Sequence, residues 1–572
     1  MVGDRGLAVV QGAAGRGERA LLRDGTEHLE LPDVEHIDIV WRGNEKSTIP
    51  RWLDGCHAPG VNTRTTEHRT PSPSLSPTPA LPDGGQLCAP YAEAVLRHAG
   101  RDWLRLNVPG HAAAPGSSLA GLFGSRITAL DFPPLLDGID LGPDTPLDRA
   151  LALAAEAWGA RRTWFLTNGA SQGNQIASMV APALGRTLVV QRSVHSSVID
   201  GLVLSGLDAV FVQPSVDPEQ GIAHGVTAAD VAEALERTPD AAAVYIVSPS
   251  YFGAVADVRA IADTAHAAGV PLIVDEAWGS HFGFHPGLPA NALSAGADLA
   301  TSSTHKLAGS LTQSAMLHLA EGPFADLLEP LVDRAFRLVQ STSASALLTA
   351  SLDLARRSLV TGAGATGGSI AAADRVRRAV RALGRFTVVS DGFHAFPDIV
   401  GADPLRVAID TRAGGITGHE ARRRLFRDHQ IMVEVATDAA VVAVIGAGSA
   451  PDTDRFVEAL HTLPSPLTTA PAGTGAAAGA GAGMLRLPAP GATKLSAREA
   501  FLSPALVVAA EEAVGRISAD TLAAYPPGIP NVLPGEVITA EAVRFLQRTA
   551  AAPNGHVRGA LDLGVTRLRV VA

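Results

Sequence analysis

Between about residues 90 and 360, short apolar runs alternate with amphipathic stretches, and this alternation limits the fold more than any other feature of the chain. The runs are Thr163–Leu166, Thr187–Gln191, Ala209–Gln213, Ala242–Val247, Pro271–Asp275 and Leu299–Ser302. Each is short, apolar or β-branched, and bounded by turn residues, so each predicts a buried strand. Stretches such as Ala228–Arg237 and Val258–Ala268 predict helices between them. Strands alternating with helices imply a mostly parallel sheet covered on both faces. The expected fold class is therefore α/β, with a large domain over 87–362. A smaller α+β unit follows over 363–467, containing a helix at Gly418–His429 and a strand at Ile431–Val435. The Ala/Gly/Pro tract at 468–484 reads as a linker. The last segment, 485–572, predicts a helix over Pro504–Arg516 and then the turn-rich Tyr525–Glu536.

Residues 1–86 read differently. The stretch Thr70–Gly85 is rich in Pro and Ser and cannot build a core, which predicts a disordered leader or an upstream start. The next methionine after Met1 is Met179, so a later start would need another codon. The composition, 46% hydrophobic and 18% charged, is that of a globular protein. A formal net charge of −11 with no basic block disfavours a nucleic-acid partner. Cys56 and Cys88 are the only cysteines, which argues against a disulfide scaffold, an iron–sulfur cluster or a cysteine zinc site, and no metal is expected. No leader of charged then apolar residues and no membrane-length apolar run is seen, so a cytoplasmic protein is expected.

Four motifs carry chemistry, each placed after a predicted strand. Lysine occurs only at Lys46, Lys306 and Lys494, and Lys306 ends SSTHK (Ser302–Lys306). There it would stand at the carboxyl end of the sheet, where open α/β folds bind ligands, and burial would lower its pKa toward imine formation. An ordinary surface lysine is the commoner case. Asp275 ends the strand before Glu276, Ala277 and Trp278. It suits either a partner for a protonated pyridine nitrogen or a helix N-cap. The turn Thr167–Gln175 opens a helix through Gly169, Ala170 and Ser171, and backbone N–H groups at a helix start hold phosphate. Its spacing is not that of a Walker A loop or a dinucleotide fingerprint. His195, after Arg192–Val194, suits stacking on an aromatic ring or a half-buried structural role. Together and in this order the four signals are much stronger than any one.

Through these motifs, residues from about 88 to 360 resemble the major domain of the Orn/Lys/Arg decarboxylases, a family of fold type I pyridoxal-phosphate enzymes. The likeness runs through Leu188–Gly206, Val247–Pro289 and Ala295–Leu319, and through Arg498–Pro504 and Tyr525–Glu536. It is greatest to short arginine-decarboxylase-like members that lack an N-terminal wing domain. The resemblance implies an aspartate aminotransferase-like large domain and pyridoxal 5'-phosphate carried as an imine on Lys306. It implies that Asp275 pairs with the pyridine nitrogen, that His195 stacks on the ring and that Ala277 lies against the other face. Ala170, Ser171, Ser303 and His305 would hold the phosphate. Ser341–Ser345, with Ser343 at its centre, resembles a loop lent across a dimer interface, so a homodimer or higher homo-oligomer with shared sites is expected. His111 in Asn107–His111 and Trp278 are expected near the substrate, and Glu536 is the candidate for its distal charge.

The implied reaction is decarboxylation of a basic L-amino acid, arginine before lysine or ornithine, to its amine and carbon dioxide. The sequence departs from the family pattern at Ala112, Ser196, Trp278 and Gly142, all bordering substrate or phosphate. Two rivals therefore stand: another fold type I reaction such as transamination or elimination, and a catalytically degenerate homologue.

Overall fold

Seven strands form one central sheet: β1 (Arg162–Leu166), β2 (Thr187–Gln191), β3 (Asp208–Val212), β4 (Ala241–Val247), β5 (Leu272–Asp275), β6 (Leu299–Ser302) and β7 (Ala315–Leu319). Their order is β1-β7-β6-β5-β4-β2-β3 in this computed structural model. The structure describes residues 84–463, 488–525, 529–552 and 555–572. The expected leader, save its last three residues, and the Ala/Gly linker lie outside them.

The run from β3 through β2, β4 and β5 to β6 is parallel. β7, which the apolar runs did not single out, lies antiparallel to both β6 and β1. The chain between β6 and β7 holds only a single helical turn, Thr304–Leu307. That is too little chain structure for the helical crossover a parallel neighbour usually needs. Alternate residues of the strands feed two cores, as the two-residue period of a strand requires. Leu188, Val190, Tyr245 and Ile273 pack on one face with Ile176 and Val198. Val189, Val244, Leu272 and Val274 pack on the other with Val231 and Ile261. Burial on both faces explains why these strands read as continuous apolar runs.

A second, antiparallel sheet has the order Thr387–Val388, Arg406–Asp410, Ala440–Val444, Val435–Ala436. Helices Ala363–Leu383, Gly418–His429 and Thr453–Thr462 contribute to its core. The expected strand Ile431–Val435 is corrected to Val435–Ala436. The preceding helix ends at Gln430 with φ 54°, and the chain crosses to the sheet edge before it pairs. Ile399–Ala402 pairs with Ala254–Ala256 after β4, which ties this unit to the loops at the carboxyl ends of the large sheet.

In the last segment, the expected helix Pro504–Arg516 is also corrected. Ala505–Ala509 is a strand, paired antiparallel with Arg567–Val571, and only Ala510–Ala513 is helical. The β-branched Val507 and Val508 suit a strand, but the partner that decides the matter lies some sixty residues on. Within the turn-rich Tyr525–Glu536, Ile529–Val532 pairs with Leu522–Ala524.

Candidate active site

The carboxyl ends of β1, β2, β4, β5 and β6 open on a cavity of about 540 Å³. Ala170 and Ser171 reach it from the start of helix Gly169–Val180. No side chain caps that helix; the Gly169 N–H donates to the Gln313 carbonyl at 2.7 Å, and the helix start at Ala170 and Ser171 faces the cavity. Gly169 takes φ 70°, a conformation that leaves the turn to glycine. His195 lines the cavity after β2, Asp275 at the end of β5 with Ala277 just beyond, and Ser303, His305 and Lys306 after β6. The structure thus places the four motifs of the sequence at one opening.

Asp275 sits at a buried position, 3% exposed, with both oxygens engaged. Its Oδ2 accepts from Asn174 Nδ2 at 2.8 Å and its Oδ1 from the Ala277 N–H at 3.0 Å. Asn174 is the hub of a buried network. Its amide also donates to Ser197 Oγ at 3.0 Å, while Tyr245 OH donates to its Oδ1 at 2.9 Å. Ser197 Oγ in turn lies 2.8 Å from His195 Nδ1, and that same nitrogen accepts the Ser197 N–H at 3.2 Å. His195 is thereby held as the N-cap of helix Ser196–Ser205. Burial lowers its pKa, opposed by Asp275 and reinforced by Lys306.

The Lys306 amine lies 3.9 Å from the centroid of the Trp278 ring. Burial pulls it from its ordinary 10.5 to about 8; Asp275 opposes the fall, Arg406 adds to it and Glu434 opposes it. Arg406 comes from the small sheet and stacks 3.7 Å from the same ring centroid. Its guanidinium donates to the Tyr251 carbonyl, while Nε and Nη1 find no partner among the described residues. His305 Nδ1 donates to the Ser314 carbonyl at 2.8 Å, which fixes the ring, and burial lowers its pKa.

Three expected residues stand elsewhere. Glu536, expected to meet the distal charge of the substrate, does not line this cavity. Its carboxylate is buried and accepts from Arg192 Nη2 at 3.0 Å and from the Leu533 N–H at 2.9 Å. Both bonds fall on Oε2. His111 pairs with Asp131 at 3.1 Å and accepts the Ala113 N–H, outside the lining. Ser343 lies on an exposed turn and does not reach the cavity of its own chain. Trp278 does line it.

Sequence reasoning missed Asn174, Tyr251, Arg406 and Glu434. Asn174 falls inside the phosphate turn that was read, one helical turn after Ala170, a spacing that puts both on one helix face. Arg406 and Glu434 come from strands and loops about 100 and 130 residues beyond Lys306, and no local pattern marks them.

The donor set suits a flat, phosphorylated, aldehyde-bearing heterocycle: a helix start for the phosphate, a carboxylate for a ring N–H, an imidazole for a face and an amine of lowered pKa. The model for the Orn/Lys/Arg decarboxylase major domain matches residues 89–396, and that for the family's C-terminal domain matches 485–555. The arginine decarboxylase of Bacillus subtilis (strain 168) is 32% identical over 494 residues, covering 84% of this chain and 97% of that one. The arginine decarboxylase of Halalkalibacterium halodurans is 34% identical over 496 residues, with the same coverages of 84% and 97%. The crystal structure of the Francisella novicida lysine decarboxylase LdcF superposes with a TM-score of 0.69 at 19% identity, covering 85% of this chain and 81% of that one. The constitutive lysine decarboxylase of E. coli gives 0.65 at 21%, covering 85% and 82%. At such identities the likeness speaks for the fold.

Proposed function

We propose a function from one premise: this chain belongs to the Orn/Lys/Arg decarboxylase family. It is a carboxy-lyase for a basic L-amino acid. Arginine is the favoured substrate, giving agmatine and carbon dioxide, because the arginine decarboxylases align over nearly their whole length. The cofactor is pyridoxal 5'-phosphate. It supplies an aldehyde for amines and a cationic ring that accepts the electron pair left when a bond at Cα breaks.

The residues of this chain do the rest. Ala170, Ser171, Ser303 and His305 would hold the phosphate at the helix start and the β6 end. Asp275, oriented by Asn174 and the Ala277 N–H, would pair with the ring nitrogen and keep the ring cationic. His195 and Ala277 would hold the ring between them. Lys306, with an amine near 8, gives and takes protons close to neutral pH at little cost. Trp278 walls the cavity beside that amine.

The observation that carries the reading is one cavity holding a buried amine, a doubly hydrogen-bonded carboxylate and an uncapped helix start at the strand ends of this fold. Carbon dioxide release from arginine, lysine and ornithine by purified protein with the coenzyme tests it. Lys306→Ala is expected to abolish release and covalent coenzyme attachment. Full activity in that variant, or keto-acid formation without carbon dioxide, refutes the reading.

The working form is proposed to be a homodimer, acting in the cytoplasm. Ser343 is exposed on its turn, and Leu104, Leu106 and Leu122 present large apolar surface of the kind a second copy covers. No helix among the described residues is long and apolar enough to cross a membrane. Sedimentation velocity tests the dimer.

A further inference from the structure

Two carboxylates line the cavity, Asp275 and Glu434. Asp275 is assigned above to the coenzyme ring, which leaves Glu434 as the lining carboxylate for a substrate's positive charge. Glu434 lies just before the edge strand Val435–Ala436 of the small sheet and is exposed at the cavity. Its Oε1 accepts the Tyr251 hydroxyl at 2.9 Å. Tyr251 packs edge-on against Trp278, ring centroids 4.9 Å apart, and Trp278 carries the Lys306 amine 3.9 Å from its centroid. A rigid aromatic chain thus sets the carboxylate at a fixed remove from the reacting amine. A carboxylate accepts about four hydrogen bonds, so one phenol leaves most of its capacity for a cationic group.

Arg406, 1% exposed, stands on Trp278 as a buried cation and lies 5.4 Å from the Tyr251 ring centroid. It and Glu434 thus flank the same tyrosine and attract each other without a direct salt bridge, which leaves the Glu434 oxygens free of a guanidinium hydrogen bond.

We infer that Glu434, held by Tyr251, receives the distal cation of the substrate and sets the preference for a basic side chain. The inference rests on the decarboxylase reading and replaces Glu536 with a carboxylate that lines the cavity.

The test compares arginine with citrulline, its neutral isostere, in wild type and Glu434→Gln. A hydrogen bond to a charged group contributes about 1.5–3 kcal/mol, or about 10–100-fold. Glu434→Gln is expected to lower kcat/KM for arginine by that factor, chiefly through KM, and to leave citrulline turnover and the coenzyme absorbance unchanged. Glu434→Asp and Tyr251→Phe are expected to fall between. Equal loss on both substrates, or no loss on arginine, overturns the inference while the decarboxylase reading stands. A wild-type protein that releases no carbon dioxide from any basic amino acid overturns that reading instead. Calorimetric binding of agmatine then decides Glu434, and equal affinity in wild type and Glu434→Gln overturns the assignment.

Discussion

Glu536→Ala separates an architectural carboxylate from a substrate-binding one. The Arg192 and Glu536 side chains are 7% and 3% exposed and meet at 3.0 Å, so each shields the other from a dry interior. Removing one partner of a buried pair costs about 3–5 kcal/mol, because the remaining charge is left without solvent or counterion. Arg192 also donates to the Asn531 carbonyl at 3.4 Å and stacks on Phe211, contacts that do not neutralise it. Glu536→Ala further strips the Leu533 N–H of its acceptor. Equilibrium urea unfolding is expected to show a loss of about 3–5 kcal/mol, and the double variant Arg192→Leu with Glu536→Leu is expected to recover most of it. Because Arg192 lies three residues before His195, the coenzyme's affinity is expected to weaken with the pair. KM for arginine, measured on coenzyme-saturated folded variant, is expected to stay unchanged. A variant as stable as wild type whose KM rises more than about tenfold, the equivalent of 1.4 kcal/mol, refutes the argument and returns Glu536 to the substrate.

Other outcomes follow from the same geometry. With the Lys306 pKa lowered to about 8 by burial, the reactive neutral amine reaches half its full population near pH 8, and aldehyde condensation followed by absorbance is expected to rise through that pH instead of through 10.5. The same shift makes unfolding of the coenzyme-free protein take up a proton between pH 8 and 10.5. The penalty of about 3 kcal/mol is therefore full below 8 and fades as pH rises toward 10.5, so stability should climb across that window, and denaturant titrations at pH 8 and 10 check this. Asn174→Ala removes the donor to Asp275 and the link to Ser197, and coenzyme affinity by fluorescence titration is expected to weaken about tenfold. Gly173→Ala would set a methyl 2.5 Å from Thr301 Cγ2 and 3.0 Å from Leu166 Cδ1, and overpacking of about 1–3 kcal/mol should appear as a lower melting temperature.

The strands that frame the cavity were legible because both their faces are buried. That condition writes itself into the chain as an unbroken apolar run, and Thr187–Gln191 and Leu299–Ser302 match to the residue. β7 was missed because its His318 interrupts the run. In the fold that ring is buried against Thr163 Oγ1 at 2.9 Å and stacked on Trp158, a satisfaction only distant residues provide. The strand Ala505–Ala509 was read as helix because its partner, Arg567–Val571, closes the sequence.

Local chemistry therefore determined the α/β alternation and the set Ala170, His195, Asp275 and Lys306, since each such residue follows a strand whose end the sequence marks. Which carboxylate faces the cavity is a different kind of fact. Glu434 and Glu536 look alike in sequence, each beside a short strand, and burial against Arg192 or exposure beside Tyr251 is fixed only when segments 344 and 183 residues apart come together. Charge pairing acts through space, so the tertiary structure alone chose between them.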